Sequence, residues 1–381
     1  MKISDIRLGQ LSIPLRTPFK TALRTITRVE DVLLTISTDQ GAVGYGSAAP
    51  VTPITGDTAD GIRAAIAGPV KKYLVGRAVE NFEDIIAQLH ALPGVCAGAR
   101  AAADIALYDL CGRLRASPVY KLLGGGRKEL TTDLTISLNE PEIMARDSLD
   151  AVRRGFATLK LKVGGHPAKD MERLMAVRMA VGKDINLRLD ANQGWTPEDA
   201  VSLIEKMEAE GLGIELVEQP VKGPDLEGLK YVTDRVGIPV VADESAFSPR
   251  DVADIIRMRA ADMINIKLMK TGGIYPALRI CDLAHAAGME CMIGCMLESR
   301  ISVTAAAHLA CAGSVITKID LDPPLLCSGD PVEGGARYDN ALITLPDAPG
   351  LGFRGVQENS CAISKTLTLD FTNPDFELLK P

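Results

Sequence analysis

Leu187-Arg-Leu-Asp-Ala-Asn192 is a short apolar run closed by an acid, and it has four counterparts in the chain: Thr158-Leu-Lys-Leu-Lys162, Glu215-Leu-Val-Glu-Gln-Pro220, Val240-Val-Ala-Asp-Glu-Ser245 and Ile264-Asn-Ile-Lys267. Each reads as a β-strand that ends on a charged residue. The steps between them are roughly 25 to 30 residues, about one strand-plus-helix unit of a (β/α)8 barrel. Strand ends on the C-terminal face of such a barrel converge on one mouth. The order is two lysines, three acids and a further lysine, so three carboxylates flanked by amines on both sides are expected to meet there.

Outward from these runs, strands and amphipathic helices alternate from about 130 to 322. Glu198–Glu210 and Pro249–Met258 are two of the expected helices, and Thr196 before Pro197 is placed to cap the first. Residues 1 to about 125 do not follow this period. Val32-Leu-Leu-Thr-Ile-Ser-Thr38, Asp39-Gln-Gly41 and Val43-Gly-Tyr-Gly46 read as a hairpin with a tight turn. The run Ala97–Leu114 has small and apolar residues at helical spacing. Strands followed by helices predict a separate α+β domain. The expected division is 1–125 as an α+β capping domain, 126–325 as the barrel and 326–381 as a Gly/Pro-rich segment that returns to the cap. The fold class is α/β, a modified (β/α)8 TIM-type barrel with an α+β cap.

Composition narrows the function. The chain has 381 residues, 46% hydrophobic and 4% aromatic, with a net charge of −7. The signs are interspersed and there is no Lys/Arg-rich run, which argues against nucleic-acid binding. No window reaches the roughly 18 to 20 apolar residues that span a bilayer. The amino terminus, Met1-Lys-Ile-Ser-Asp-Ile-Arg7, lacks a signal-peptide core. The eight cysteines form no CxxC pair, as expected of buried reduced thiols in a cytoplasmic protein.

The charged strand ends carry the chemistry. Lys160 and Lys162 are two apart and share a face, while Leu159, Leu161 and Val163 pack outward. Buried lysines are costly unless paired or used. Each is expected to lower the other's pKa, toward the range of a general base. Asp190, Glu218 and Asp243 would repel one another unless a cation neutralises them. All-oxygen ligation favours magnesium or manganese, with Asn192 and Glu244 as supporting contacts. Lys267 lies across the barrel from Lys162, and Lys270 is expected on the surface of the following loop. Asp320 and Asp322 share a face and suit a cationic group such as an ammonium. His90, His166, His285 and His308 lie in no motif. Such a set suits removal of a proton next to a carboxylate and its return from the other side.

With these residues the chain resembles the enolase superfamily in its muconate-lactonizing subgroup. The likeness spans nearly the whole chain, including Ala101-Ala-Ala-Asp-Ile-Ala-Leu-Tyr-Asp-Leu110 and Leu122-Leu-Gly-Gly125. A lysine base working with magnesium is known in this superfamily. Within the subgroup the chain is similar to dipeptide epimerases, through Pro18-Phe-Lys-Thr-Ala-Leu-Arg24, Met296-Leu-Glu-Ser299, Ala305-Ala-Ala-His308 and Asp320-Leu-Asp322. The resemblance implies a small dipeptide substrate bound to Mg2+ (or Mn2+) and a homo-oligomer. It implies 1,1-proton transfer at the α-carbon of the C-terminal residue through a magnesium-stabilised enediolate. Lys162 and Lys267 would act as the two bases, with Lys160 tuning Lys162 or touching the enediolate. Asp320 and Asp322 would bind the α-ammonium, Arg24 would read a side-chain carboxylate as in the L-Ala-D/L-Glu epimerases, and Glu298 would contact substrate. The implied role is conversion of L-Ala-D-Glu from murein to L-Ala-L-Glu. An o-succinylbenzoate synthase, a muconate cycloisomerase or an N-acylamino acid racemase on the same scaffold is the alternative, with a non-catalytic binding protein as a further one.

Overall fold

The structure, a computed structural model, describes residues 1–21 and 24–357. Ala22 and Leu23 of the Pro18–Arg24 motif, and residues 358–381 of the expected returning segment, lie outside the described residues.

The chain opens with an antiparallel sheet. Ile3–Lys20 pairs with Thr25–Thr38, which pairs in turn with Val43–Ala48. The tight turn expected at Asp39-Gln-Gly41 links the last two, with Gly41 at φ +80°. Helix Ala97–Leu114 lies on this sheet and is buried along most of its length. Its alanines let it approach closely. A Cβ on Gly46 would stand 1.9 Å from the carbonyl oxygen of Ala102, so glycine in the strand and alanine in the helix are one packing solution.

Eight parallel strands follow, in sequential order across the sheet: Leu134–Ile136, Thr158–Lys162, Asn186–Asp190, Ile214–Glu218, Val240–Ala242, Met263–Ile266, Glu290–Ile293 and Ile316–Ile319. Helices link consecutive strands, among them Pro197–Ala209 and Pro249–Met258. Thr196 caps the first as expected, accepting the N–H of Asp199. Among the described residues, the eighth strand is followed by no helix longer than the short Pro323–Leu326, which is how this barrel departs from eight equal units. The strands' outward residues merge with the helices into the main core. Leu216, Val241, Met263 and Met292 form a separate apolar cluster of their own.

Beyond the barrel, Leu342–Thr344 pairs with Glu129–Thr131, and Val332–Gly334 pairs with Phe353–Val356. Phe353 meets Tyr45 of the first sheet edge-on at 6.2 Å, and its carbonyl accepts Arg113 Nη2 at 2.6 Å. No helix among the described residues is long and apolar enough to cross a membrane. The seven cysteines among the described residues are free thiols.

Candidate active site

The alternation of each strand puts its charged residues on the inside. Register then sets their heights: Lys162 pairs with Asp190 and Asp190 with Glu218, while Lys160 pairs with Arg188 one layer below. The charged groups close into one buried network. Lys160 Nζ lies 2.6 Å from Glu218, 2.7 Å from Asp320 and 3.2 Å from Asp190. Lys162 Nζ donates to Asp190 at 2.6 Å, and Lys267 Nζ to Asp243 at 2.7 Å while lying 3.6 Å from Glu218.

The expected lowering of the Lys160 pKa is not found. Burial disfavours the Lys160 ammonium, but Asp320, Glu218 and Asp190 outweigh it and hold that amine well above its ordinary value. Lys267 is likewise raised against its burial, by Asp243 and Glu218. Three carboxylates at contact distance count for more than one neighbouring amine. Lys270, expected at the surface, is 2% exposed and sits 2.5 Å from Asp243 Oδ1. It also donates to the carbonyls of Asp243 and Asn265. The short helix Leu268–Thr271 turns it back under the strand end, a reversal that strand alternation does not foresee.

The acids divide by partner. Burial would raise Asp190, but Lys162 and Lys160 pull it below the carboxylate range, and Lys267 with Lys270 does the same for Asp243. Glu218 is pushed up to about 7 by burial and by Asp190. Glu244 rises to about 8 through burial and Asp243, and neither of its buried oxygens has a hydrogen-bond partner among the described residues. Among the described residues, no three metal-ligating groups already converge on one point, because ammonium groups bridge the carboxylates. The donor set still fits a hard divalent cation: all donors are oxygens, they are crowded, and Glu244 is unpartnered.

Two unassuming residues support the strand ends. Gln219, at φ +36°, accepts the N–H groups of Asp243 and Ser245 with one oxygen, at 2.8 and 3.2 Å. Asn265 donates to Glu218 at 2.8 Å. Asn265 is two residues before Lys267, so the alternation rule applied one step further would have put it in the site. Asn192, at φ +45°, donates its N–H to Asp190, and its Oδ1 is buried without a hydrogen-bond partner among the described residues.

A cavity opens above this network between barrel and cap. Lys160, Lys162, Lys267, Asn192, Asp320 and Asp322 line it from the barrel, and Phe19, Thr21, Arg24, Ile26 and Ile54 from the cap. The three acids themselves lie behind the lysines. The ring of Phe19 stands 6.0 Å from Lys162 Nζ. Asp320 is occupied by Lys160, whose charge keeps it low against its burial. Asp322 accepts the N–H of Thr135 at 2.7 Å, has no ion-pair partner among the described residues, and is raised to about 6 by burial and Asp320. Arg24 is half-buried, its pKa lowered by burial, and its guanidinium has no ion-pair partner among the described residues. Glu298 does not join the cavity lining. It lies behind Met296 and accepts that residue's N–H at 2.7 Å, with burial pushing it up to about 8. Its neighbours in sequence, Met296 and Leu297, take the lining positions instead.

Comparison with known proteins agrees with this geometry. Residues 4–124 match the mandelate racemase/muconate lactonizing enzyme N-terminal domain, and residues 144–358 match the enolase C-terminal domain-like family. The chain belongs to the mandelate racemase/muconate lactonizing enzyme family of the enolase superfamily. It is 57% identical over 356 residues to the L-Ala-D/L-Glu epimerase of Clostridium acetobutylicum, covering 93% of this chain and 99% of that one. The L-Ala-D/L-Glu epimerase of Bacillus subtilis, solved as a substrate-liganded complex, superposes with a TM-score of 0.92 at 47% identity, covering 93% of this chain and 99% of that one. A dipeptide epimerase of Enterococcus faecalis V583, solved with Mg and L-Leu-L-Tyr, superposes at 0.90 with 44% identity, covering 93% and 100%. These relatives are isomerases, and the chain falls in their dipeptide epimerase subgroup.

Proposed function

We propose that this chain epimerises dipeptides at the α-carbon of the C-terminal residue, with L-Ala-D/L-Glu as the preferred pair. The observation that carries the reading is the cavity wall itself. Lys162 and Lys267, from the second and sixth strand ends, line the same space as Asp322, a buried carboxylate with no counter-ion among the described residues. An α-ammonium would supply that counter-ion, and a charge-assisted hydrogen bond rewards it. Arg24 offers a planar fork to the glutamate side chain from the cap.

Asp190, Glu218 and Asp243 would hold a divalent cation, Mg2+ or alternatively Mn2+, with Asn192 and Glu244 beside them. When bound, such an ion supplies Lewis-acid stabilisation of the negative charge that develops on the substrate carboxylate. Lys162 and Lys267 exchange the α-proton from opposite faces, one removing it while the other delivers. Lys160, held by Glu218, Asp190 and Asp320, stays protonated and places a positive charge next to that carboxylate. The phenyl ring of Phe19 covers the Lys162 side and limits water there.

Lyases and N-acylamino acid racemases share the lysines and acids, but their substrates bring no ammonium to Asp320 and Asp322. Incubation with a dipeptide library in deuterium oxide tests the assignment. Mass gain at the α-carbon, greatest for Ala-Glu, is expected; gain confined to N-acyl amino acids would replace the reading by the racemase. Chelator treatment should abolish exchange and lower the melting temperature relative to protein in excess Mg2+, because a ligand bound only by the native state stabilises it. Full exchange in metal-free buffer would remove the metal from the reading.

A further inference from the structure

Arg188 stands two residues before Asp190, on the same inward face of the third barrel strand, and is 7% exposed. Among the described residues its guanidinium makes no hydrogen bond or ion pair with the groups assigned to the reaction. Its Nη1 instead donates to Asp133 Oδ2 at 2.8 Å and to the carbonyl of Ile319 at 3.0 Å, and its Nε donates to Glu215 Oε2 at 2.6 Å. Glu215 reaches this guanidinium through a break in register: Leu187 pairs with Ile214, but Arg188 pairs with Leu216. A bulge of this kind re-aims the side chain of the extra residue. The other Glu215 oxygen lies 3.1 Å from Lys318, which follows a second register break, between Cys291–Ile316 and Met292–Lys318.

These partners meet at one place in the barrel. Asp133 immediately precedes the first strand, and Lys318 and Ile319 end the eighth. Among the described residues no regular ladder joins those two strands. They are linked by Asp133 N–H to the Ile319 carbonyl at 3.3 Å, Leu321 N–H to Thr132 Oγ1 at 2.9 Å and Thr135 N–H to Asp322 Oδ2 at 2.7 Å. Asp320 and Asp322 therefore sit on the seam where the barrel closes, with little backbone pairing to hold them. Three buried carboxylates, Asp133, Asp320 and Asp322, repel one another there. Lys160 answers Asp320 and Arg188 answers Asp133. One guanidinium thus binds an acid from the first strand's approach, a carbonyl from the eighth strand and an acid from the fourth.

We propose that Arg188 is a positioning residue for ammonium recognition: by clamping Asp133 to Ile319 across the barrel seam, it sets the placement of Asp320 and Asp322. The inference rests on the dipeptide reading of that pair. A lysine keeps the charge but cannot make the fork, so Arg188→Lys isolates geometry from charge. The measurement is KM and kcat by α-deuterium exchange for L-Ala-L-Glu and for its N-acetylated form, with circular dichroism and melting as controls on the fold. For Arg188→Lys, KM for the free dipeptide should rise about tenfold with kcat little changed, and the preference for the free over the acetylated substrate should contract about tenfold. Asp133→Asn should contract the preference in the same direction. A merely structural role would depress both substrates in parallel and leave the preference intact, and that result overturns the proposal. If Arg188→Lys fails to fold, Glu215→Gln releases one arm of the guanidinium and is read by the same criterion. Wild-type protein that shows no preference for the free ammonium would instead remove the reading of Asp320 and Asp322, and this inference with it.

Discussion

Lys162 and Lys267 face one cavity from opposite sides of the barrel, and each leans on a different acid, Asp190 and Asp243. The two should therefore separate by substrate epimer. Lys162→Ala is expected to block solvent exchange of one epimer and Lys267→Ala that of the other, with net epimerisation lost in both. Wild-type epimerisation by either variant would show that the two-base reading is wrong. Arg24 belongs to this scale too. A half-buried guanidinium with no ion-pair partner among the described residues is a costly group unless a ligand completes it. Arg24→Ala should reduce kcat/KM for Ala-Glu by about tenfold or more, as expected for a hydrogen bond to a charged group, and leave Ala-Leu nearly unchanged. Equal losses on both substrates would assign Arg24 to the cap's packing.

Elements deliver these side chains through their ends and their irregularities. The strand ends after Asp190 and Glu218 continue through Asn192, Gln193 and Gln219 at φ +45°, +66° and +36°, left-handed positions rarely held by such residues and common at working sites. The seventh strand ends at Ile293 and passes Lys267 with Gly294, where a Cβ would meet Asn265 Oδ1 at 2.7 Å and Lys267 Cε at 3.0 Å. Glycine there lets the lysine stem and Asn265 share the space beside the strand. Gly294→Ala should displace Lys267, so exchange of its epimer should fall about tenfold or more while the melting point shifts by only a few degrees. Proportionate loss for both epimers would point to general damage.

At the scale of the whole molecule, cap and barrel share one apolar core, and several buried polar bonds cross their junction. Asp31 of the cap accepts the N–H of Ser299, at the start of the helix Arg300–Ala312, at 2.8 Å. Asp104 of the cap accepts the N–H groups of Ile274 and Tyr275 at 2.7 and 3.2 Å, and pairs with His90. His308, inside the barrel helix Arg300–Ala312, accepts the N–H of Tyr120 at 3.0 Å, and burial holds its pKa down to about 3. That depression makes the junction acid-sensitive. The folded imidazole stays neutral at pH 5, whereas the unfolded one, near its ordinary value of about 6.5, takes up a proton. Protons thus favour the unfolded chain, and stability drains as pH falls from about 6.5 toward 3. Between pH 7.5 and 5, denaturant titration should show wild type losing about 2 kcal/mol more than His308→Gln, which accepts a hydrogen bond without titrating. Equal losses would place the acid sensitivity elsewhere.

From sequence alone, Asp190, Glu218, Asp243, Lys162 and Lys267 were legible as one set. Period-two alternation fixes which residues point inward, and a regular strand-plus-helix period fixes that successive strand ends share a mouth; both are local and survive without coordinates. The same rule extended by two residues reaches Asn265 and Arg188, but it does not say what they touch. Tertiary structure alone decided the rest. Lys270 turns under Asp243 because a single helical turn reverses its direction, Glu215 enters the interior because a register break re-aims it, and Glu298 lies behind Met296 rather than in the cavity wall. The pKa of Lys160 also depended on it, since carboxylate charge at 2.6 to 3.2 Å outweighs burial. Pairing between groups far apart in the chain is set by how strands register and close, and no local pattern encodes it.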